Sequence, residues 1–431
     1  MRIERSLSLK KKETRETQEV QETQEAQARL WKNGLDMLYL ANCALRDVTP
    51  DKSVMDALSL EDVARMAKKQ SMDALTYYGV EKYLSQLEGQ ALKANEDLLK
   101  QWKQIRDMAI RKNIMLDLAR EQIQEYMEKN GIWYMPLKGS LIKDMYPKPG
   151  MRQMSDNDIL IDRSYRKQIF DYMIGLGYTG HYHESHPHDE YLKKPFYNFE
   201  IHTSLIAEDT PVFGAYYQNV KEKLVQENGC RYRFRDEDFY IYMMAHAYKH
   251  YSSAGNGVRH FMDVFVYLEN KPNLDRGYIE TELDRLGILN YESAVKELSE
   301  TLFDPACRSP KEIEAVLDEN NRTLLGFCIG AGTYGSLKNL VKKRLQNLTK
   351  GEKLTTSRGI RYFWNRFFCL DGLYSDFPKL AKYRCLRPFL YVGRALKILF
   401  SSSRRKTLCC EAKTITDMIN SKNNGNNTAS E

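Results

Sequence analysis

From Arg29 to Asn130 apolar residues return at a spacing near 3.6, which predicts a run of helices, with Ser59 placed as a cap three residues ahead of Asp62. Within that run, Ala91 to Lys129 predicts one or two long helices that stop at Gly131. Residues 1–28 are rich in Glu, Gln, Lys, Arg and Thr and nearly empty of apolar positions. Such a segment cannot bury enough surface to order itself, so a disordered or frayed helical tail is expected.

At Gly131 the period shortens. Ile132 to Met135 is a short β-prone run that leads through Pro136 into Lys138-Gly139-Ser140. Leu141 to Tyr146 suits a short helix, Ile159 to Ile161 a strand, and Tyr165 to Leu176 a helix closed by Gly177. Further β-prone runs sit at Tyr178 to His183 and Phe196 to Ile201. From Val212 the helical period returns and lasts to about Phe400, and Asn420 to Glu431 is Asn- and Ser-rich. The expected architecture is α+β, with a small mixed-sheet core at 131–207. It lies between an N-terminal helical region, 29–130, and a C-terminal helical domain, 208–406; residues 407–431 are expected to be a disordered tail.

At 431 residues the chain is long for one core, and two or three units are expected. Its eight Cys follow no repeating spacing and no secretory signal precedes them, which suits reduced thiols in a cytoplasmic protein. No uncharged apolar run reaches the length of a membrane-spanning helix. The nearest, Leu386 to Phe400, is interrupted by Arg387, Arg394 and Lys397 and reads as a packed or interfacial helix. The net charge of +7 is modest, but residues 338–406 carry 18 Lys and Arg against three acids. A basic C-terminal third attracts polyphosphate, nucleic acid or anionic lipid. Phe363, Trp364, Phe367, Phe368 and Leu370 thread the same stretch, so a solvated basic face on packing helices explains it equally.

The chemistry gathers around the central module. Gly139, between a strand and a helix start, lets backbone approach an anion, and Ser140 adds a hydroxyl. Asp156-Asn157-Asp158 then leads into Ile159-Leu160-Ile161, and the two-residue alternation of a strand sends both carboxylates to one side. Two like charges so placed raise each other's pKa unless a cation sits between them. Oxygen donors of this kind suit a hard divalent ion, Mg²⁺ first. In Tyr197-Asn198-Phe199-Glu200-Ile201-His202 the same alternation puts Asn198, Glu200 and His202 on one face, so Glu200 is the candidate third carboxylate.

A glycine-serine turn, a pair of aspartates on the next strand and a third acid on a later strand resemble the polymerase-beta-like nucleotidyltransferase superfamily. The run Leu137, Lys138-Gly139-Ser140, Tyr146-Pro147, Arg152 and Ser155-Asp156-Asn157-Asp158 is similar to its bacterial branch of uncharacterised nucleotidyltransferases. Glu200-Ile201-His202, the helices with His246, His250, Arg259 and Asp263, Gly332 to Ser336, and Phe377-Pro378 through Pro388 to Arg394 extend the likeness over most of 59–400. The resemblance implies two Mg²⁺ ions, with Mn²⁺ also able to serve, held by Asp156, Asp158 and Glu200. It implies a nucleoside triphosphate whose β- and γ-phosphates lie against Gly139 and Ser140, beside Ser155, with Lys138 and Arg152 neutralising charge. The spacing of about 15 residues from Ser140 to Asp156 exceeds the superfamily minimum, which weakens the roles of Arg152 and Lys138 before those of the aspartates. The acceptor implied is a small molecule or peptide. Nucleic-acid end modification through the basic C-terminal third, and a non-catalytic antitoxin-like protein, are the alternatives.

All eight His fall between His181 and His260. The run His181 to His188 suits a loop or hairpin and offers transition-metal ligands only adventitiously. His246 and His250 share a helix face without the glutamate that a zinc protease needs between them. Together with His202, Lys249 and Asp263 they are candidates to line the nucleotide or acceptor pocket.

Overall fold

The computed structural model describes residues 2–85, 95–182, 187–206, 211–333, 335–349, 355–370 and 383–424, with 373, 376, 377 and 380 between the last two stretches. His183 to His186, Tyr334, Pro378 and residues 425–431 therefore lie outside the described residues. The chain divides into two units, Met1–Tyr248 with Gly257–Thr333, and Lys249–Asn256 with Tyr334–Glu431.

The first unit opens with helices α1 (Arg2–Leu45), α2 (Lys52–Ala57), α3 (Leu60–Gln70), α4 (Asp73–Leu84) and α5 (Glu96–Lys129). The Ser59 hydroxyl accepts from the Asp62 amide at 3.3 Å, the cap that the spacing predicts, and α3 ends at Ser71 in a left-handed conformation. Residues 21, 22 and 24–29 of α1 are exposed, and burial becomes continuous from Gly34. There Met37, Leu38, Leu40 and Ala41 are fully buried. At Gly79 the backbones of α4 and α1 come together so closely that a Cβ would run into the Leu40 carbonyl.

The described strands form one mixed seven-stranded sheet in the order β3-β4-β5-β2-β1-β7-β6. They are β1 (Tyr134–Pro136), β2 (Asn157–Ile161), β3 (Thr179–Gly180), β4 (His188–Lys193), β5 (Tyr197–His202), β6 (Leu224–Asn228) and β7 (Arg231–Phe234). Short helices α6 (Gly139–Ile142) and α7 (Arg166–Gly175) follow β1 and β2. The sheet continues beyond residue 207, where the sequence pattern closed the core. β6 and β7 form a hairpin through Gly229-Cys230, with Gly229 at a φ of 49°, and Tyr134 of β1 pairs with Arg231 of β7. These strands are short and mostly exposed, so they carry little of the alternation by which a strand is recognised.

One face of the sheet is apolar. Ile159 and Ile161 of β2, Phe199 and Ile201 of β5, and Tyr134 of β1 pack with Ile123 and Met127 of α5 and with Ile169 and Met173 of α7. Burying that face fixes the strand register, because a slip of one residue would turn every side chain over. After α8 (Pro211–Tyr217) and the β6/β7 hairpin, the unit is completed by α9 (Asp236–Tyr251) and α10 (Arg259–Asn270), followed by α11 (Arg276–Arg285), α12 (Leu289–Leu302), α13 (Pro310–Val316) and α14 (Glu319–Ala331). Lys249 and His250, at the end of α9, fall in the second unit.

That unit contains α15 (Leu337–Thr349), α16 (Thr356–Phe368), α17 (Arg387–Phe400) and α18 (Ser402–Asn424). Val341, Leu345, Tyr362 and Ile415 make its core. The expectation of a disordered tail from residue 407 is corrected here, since α18 runs to Asn424 and buries Glu411, Thr414 and Ile415. Those three are spaced 3 and 1 apart on an otherwise polar segment, too sparse a stripe to read as amphipathic. Among the described residues no helix is long and apolar enough to cross a membrane.

Candidate active site

β2 and β5 run parallel, with Asp158 in register with Glu200 and Leu160 with His202. Because alternate residues share a face, Asp158, Glu200 and His202 all project away from the apolar core described above. One ligand atom from each of the three lies within 4.8 Å of the other two. His202 Nε2 is 2.8 Å from Asp158 Oδ1 and 3.4 Å from Glu200 Oε2. Lys138 Nζ donates to the same Asp158 oxygen at 2.7 Å.

Lys138 itself sits at φ 53°, ψ −123°, a conformation that residues with a Cβ rarely adopt and that costs about 1–3 kcal/mol. The turn from β1 into α6 holds it there: the Leu137 amide donates to the Asp158 carbonyl at 3.0 Å, and the Ser140 hydroxyl donates to the Leu137 carbonyl at 2.8 Å. The strained residue is the one whose ammonium reaches the carboxylates.

Asp156 stands one residue ahead of β2, with the Ser155 hydroxyl donating to its Oδ1 at 3.0 Å. Burial pushes its carboxyl above the ordinary range, and the charges of Asp158 and Glu200 add to the shift against Lys138 and Ser155. Asp158 moves the other way. Burial would raise it, but Lys138 and His202 outweigh burial and hold it far below the ordinary range. For Lys138, burial opposes the charge, while Asp158, Tyr242 and Glu200 more than compensate and raise the ammonium's pKa.

The segment that carries Asp156 is tied down by α5. Asn113 donates to the Arg152 carbonyl at 3.0 Å and accepts from the Met154 amide at 3.2 Å. Arg120 donates to Asn157 Oδ1 at 3.0 Å, and Asn157 Nδ2 donates to the Leu116 carbonyl at 2.9 Å. Lys112 donates to the Ser155 carbonyl at 3.3 Å; burial lowers its pKa while the charge of Asp156 opposes the fall. On α5 the polar residues Arg106, Asn113 and Arg120 recur every seven positions along the buried stripe of Trp102, Ala109, Leu116 and Ile123. Polar side chains at core spacing are the signal by which this anchoring could have been found.

Arg152 is not placed for the triphosphate that the sequence reading gave it. Its Nε and Nη2 donate to Asp263 Oδ1 and Oδ2 at 2.8 and 3.0 Å, and the Tyr146 hydroxyl donates to Asp263 Oδ1 at 2.8 Å. All three side chains are buried. Asp263, expected along a pocket, is thus the buried anchor of Arg152, and burial of its carboxyl is outweighed by Arg152, which holds its pKa low. Gly139 is explained by the same arginine: a Cβ on Gly139 would collide with the Arg152 guanidinium. The Ser140 hydroxyl is likewise buried and committed to backbone, so what the Gly-Ser turn offers a ligand is main chain.

Two residues missed by the sequence reading face the carboxylates. His188 opens β4 in register with His202, and the two rings lie 5.0 Å apart. Burial, then the charge of His202, lowers the His188 pKa. Tyr242 of α9 is buried with no hydrogen-bond partner for its hydroxyl among the described residues. Burial pushes its phenol up; Lys138 opposes the shift and Asp158 and Glu200 add to it. His246, one turn on, has its ring tilted at 45° to that of Tyr242, 6.0 Å away.

Residues 56–304 match the family described as uncharacterised nucleotidyltransferase. The chain belongs to that family. The match takes in the N-terminal helices from the end of α2, the whole sheet with its carboxylate face and the helices through α12. Neither among curated proteins nor among solved structures does anything match the chain.

The donor set fits a divalent cation. The converging ligand atoms belong to Asp158, Glu200 and His202, and Asp156 stands near enough for burial, and then the charges of Asp158 and Glu200, to raise its pKa. Two carboxylates with one imidazole, converging as they do, are a set that could hold a metal ion.

Proposed function

We propose that this nucleotidyltransferase moves a nucleoside monophosphate from a nucleoside triphosphate to an acceptor hydroxyl on a small molecule or peptide. The acceptor hydroxyl gives up its proton to solvent as its oxygen attacks the α-phosphorus, the bond to the bridging oxygen breaks, and pyrophosphate leaves with the electron pair. The convergence of Asp158, Glu200 and His202 within 4.8 Å, opposite the apolar face of the sheet, is the observation that carries this reading.

Asp158 and Glu200 would hold a divalent ion, and Asp156 is the remaining carboxylate for a second. Ions so held neutralise the triphosphate and lower the pKa of the acceptor hydroxyl. His202 orients Asp158 through its 2.8 Å contact. Lys138 brings a positive charge to the same place, where charge grows on the departing phosphates. The α5 anchors of Asn157 and Ser155 keep the carboxylates from relaxing apart, and positioning of this kind is a large part of phosphoryl-transfer catalysis.

The test uses purified protein with each α-labelled nucleoside triphosphate, Mg²⁺ or Mn²⁺, and cell extract. Label should move to an acceptor with wild type and fall by about 10²–10³ with Asp158→Asn or Glu200→Gln. Equal transfer by these variants would remove the site, and no transfer from any of the four nucleotides would remove the activity.

A further inference from the structure

The second unit holds a cavity of about 430 Å³ bounded by α16, α17 and α18. Its polar wall is unusual for its depth. Glu411 of α18 is 1 % exposed, and neither of its carboxylate oxygens has a hydrogen-bond partner among the described residues. Its nearest cation, Arg366 Nε, lies 3.5 Å away. Arg394 of α17 is 7 % exposed, with its Nε and Nη1 unpartnered among the described residues. Its Nε lies 3.5 Å from Oδ2 of Asp376, whose other oxygen accepts from Arg404 at 2.6 Å, and its Nη2 donates to the Arg366 carbonyl at 3.4 Å.

Buried charged atoms whose counter-charge stands 3.5 Å away, without a hydrogen bond, are poorly compensated, and open cavity beside them marks where a ligand's polar atoms would complete them. The orphaned groups are of both kinds, guanidinium donors on one side and carboxylate acceptors on the other. Three arginines against Asp376 and Glu411 leave one net positive charge. A phosphate dianion joined to one ammonium carries one net negative charge and offers acceptors to Arg394 and donors to Glu411. The guanidinium fork suits a phosphate. Phe363, Phe367 and Ile398 give the rest of the wall an apolar surface for a short carbon linker.

We propose that this cavity binds an amine-bearing phosphate ester, with Arg394 and Arg366 on the phosphate and Glu411 on the ammonium.

O-Phosphoethanolamine and inorganic phosphate are the soluble probes, titrated calorimetrically into the full chain. Vesicles of phosphatidylcholine with and without phosphatidylethanolamine supply the same chemistry as a lipid headgroup. Saturable binding of phosphoethanolamine, or of the vesicles that contain the amine headgroup, is expected; which of the two binds identifies the source. Arg394→Met should weaken it by at least about tenfold. Glu411→Gln should weaken the amine ester by a similar factor and leave inorganic phosphate unchanged. Arg404→Gln, at a half-exposed side chain, keeps the test open if Arg394→Met does not fold, and a loss of about threefold or more is expected there. Asp158→Asn should bind as wild type does, which separates this cavity from the carboxylate site. No saturable binding of any amine-bearing probe, or binding unchanged in all of Arg394→Met, Arg404→Gln and Glu411→Gln, would overturn the proposal.

Discussion

Two buried ion pairs flank the turn between β1 and α6, and they differ in one respect. Arg152 and Asp263 close on each other through two hydrogen bonds of 2.8 and 3.0 Å, Tyr146 takes a further lone pair, and the group is neutral and complete. Lys138 and Asp158 meet at 2.7 Å, but Asp158 also faces His202, Glu200 and Asp156, so its pair is not closed on itself. The complete pair is scaffold, and the incomplete one is where the proposed cation and triphosphate would have something to add. The two are joined through Gly139, whose missing Cβ leaves the room that the Arg152 guanidinium fills.

Breaking the complete pair should have the largest effect on the fold. Asp263→Ala strands a buried guanidinium and should cost about 3–5 kcal/mol in urea unfolding, while the double replacement Arg152→Met/Asp263→Leu should recover most of that. If Asp263→Ala unfolds at the wild-type midpoint, the pair is not scaffold. Next in size is Gly139→Ala, which forces the Arg152 guanidinium aside and should cost about 1–3 kcal/mol by the same measurement.

The incomplete pair should respond in the opposite sense. Lys138→Met removes the internal cation from Asp158, so Mn²⁺ binding followed by electron paramagnetic resonance should tighten, by about tenfold. Unchanged affinity would show that Lys138 does not compete for that oxygen. The smallest effect concerns pH. A carboxyl whose folded pKa is raised stabilises the fold only while protonated, and that contribution is lost as pH rises through the folded pKa. Asp156→Asn should therefore be neutral to stabilising at pH 7, within about 1 kcal/mol, with the gain vanishing in acid. For Asp158, with its pKa held low by Lys138 and His202, the sign reverses. Its contribution is present above the ordinary Asp range and lost as pH falls, so Asp158→Asn should lower the thermal midpoint at pH 7. Thermal unfolding of the two variants across pH 3–8 distinguishes these signs, and a common sign would contradict the contrast drawn between the two aspartates.

Periodicity alone separated the helical regions from the strand module, and two-residue alternation in Asp156-Asn157-Asp158 and in Asn198 to His202 put the acids on shared faces, because a strand's side-chain period is a local property of the backbone. The β6/β7 hairpin and α18 escaped, one because it is short and exposed, the other because its buried positions are too few. Which residues meet was decided only by tertiary structure. The parallel register of β2 and β5 sets Asp158 beside Glu200, α5 reaches over to tie the Ser155 to Asn157 segment, and Asp263, 111 residues beyond Arg152, holds that arginine in a buried pair. Local chemistry names the groups able to carry charge; the partner that neutralises each one lies far along the chain, and only folding brings it within reach.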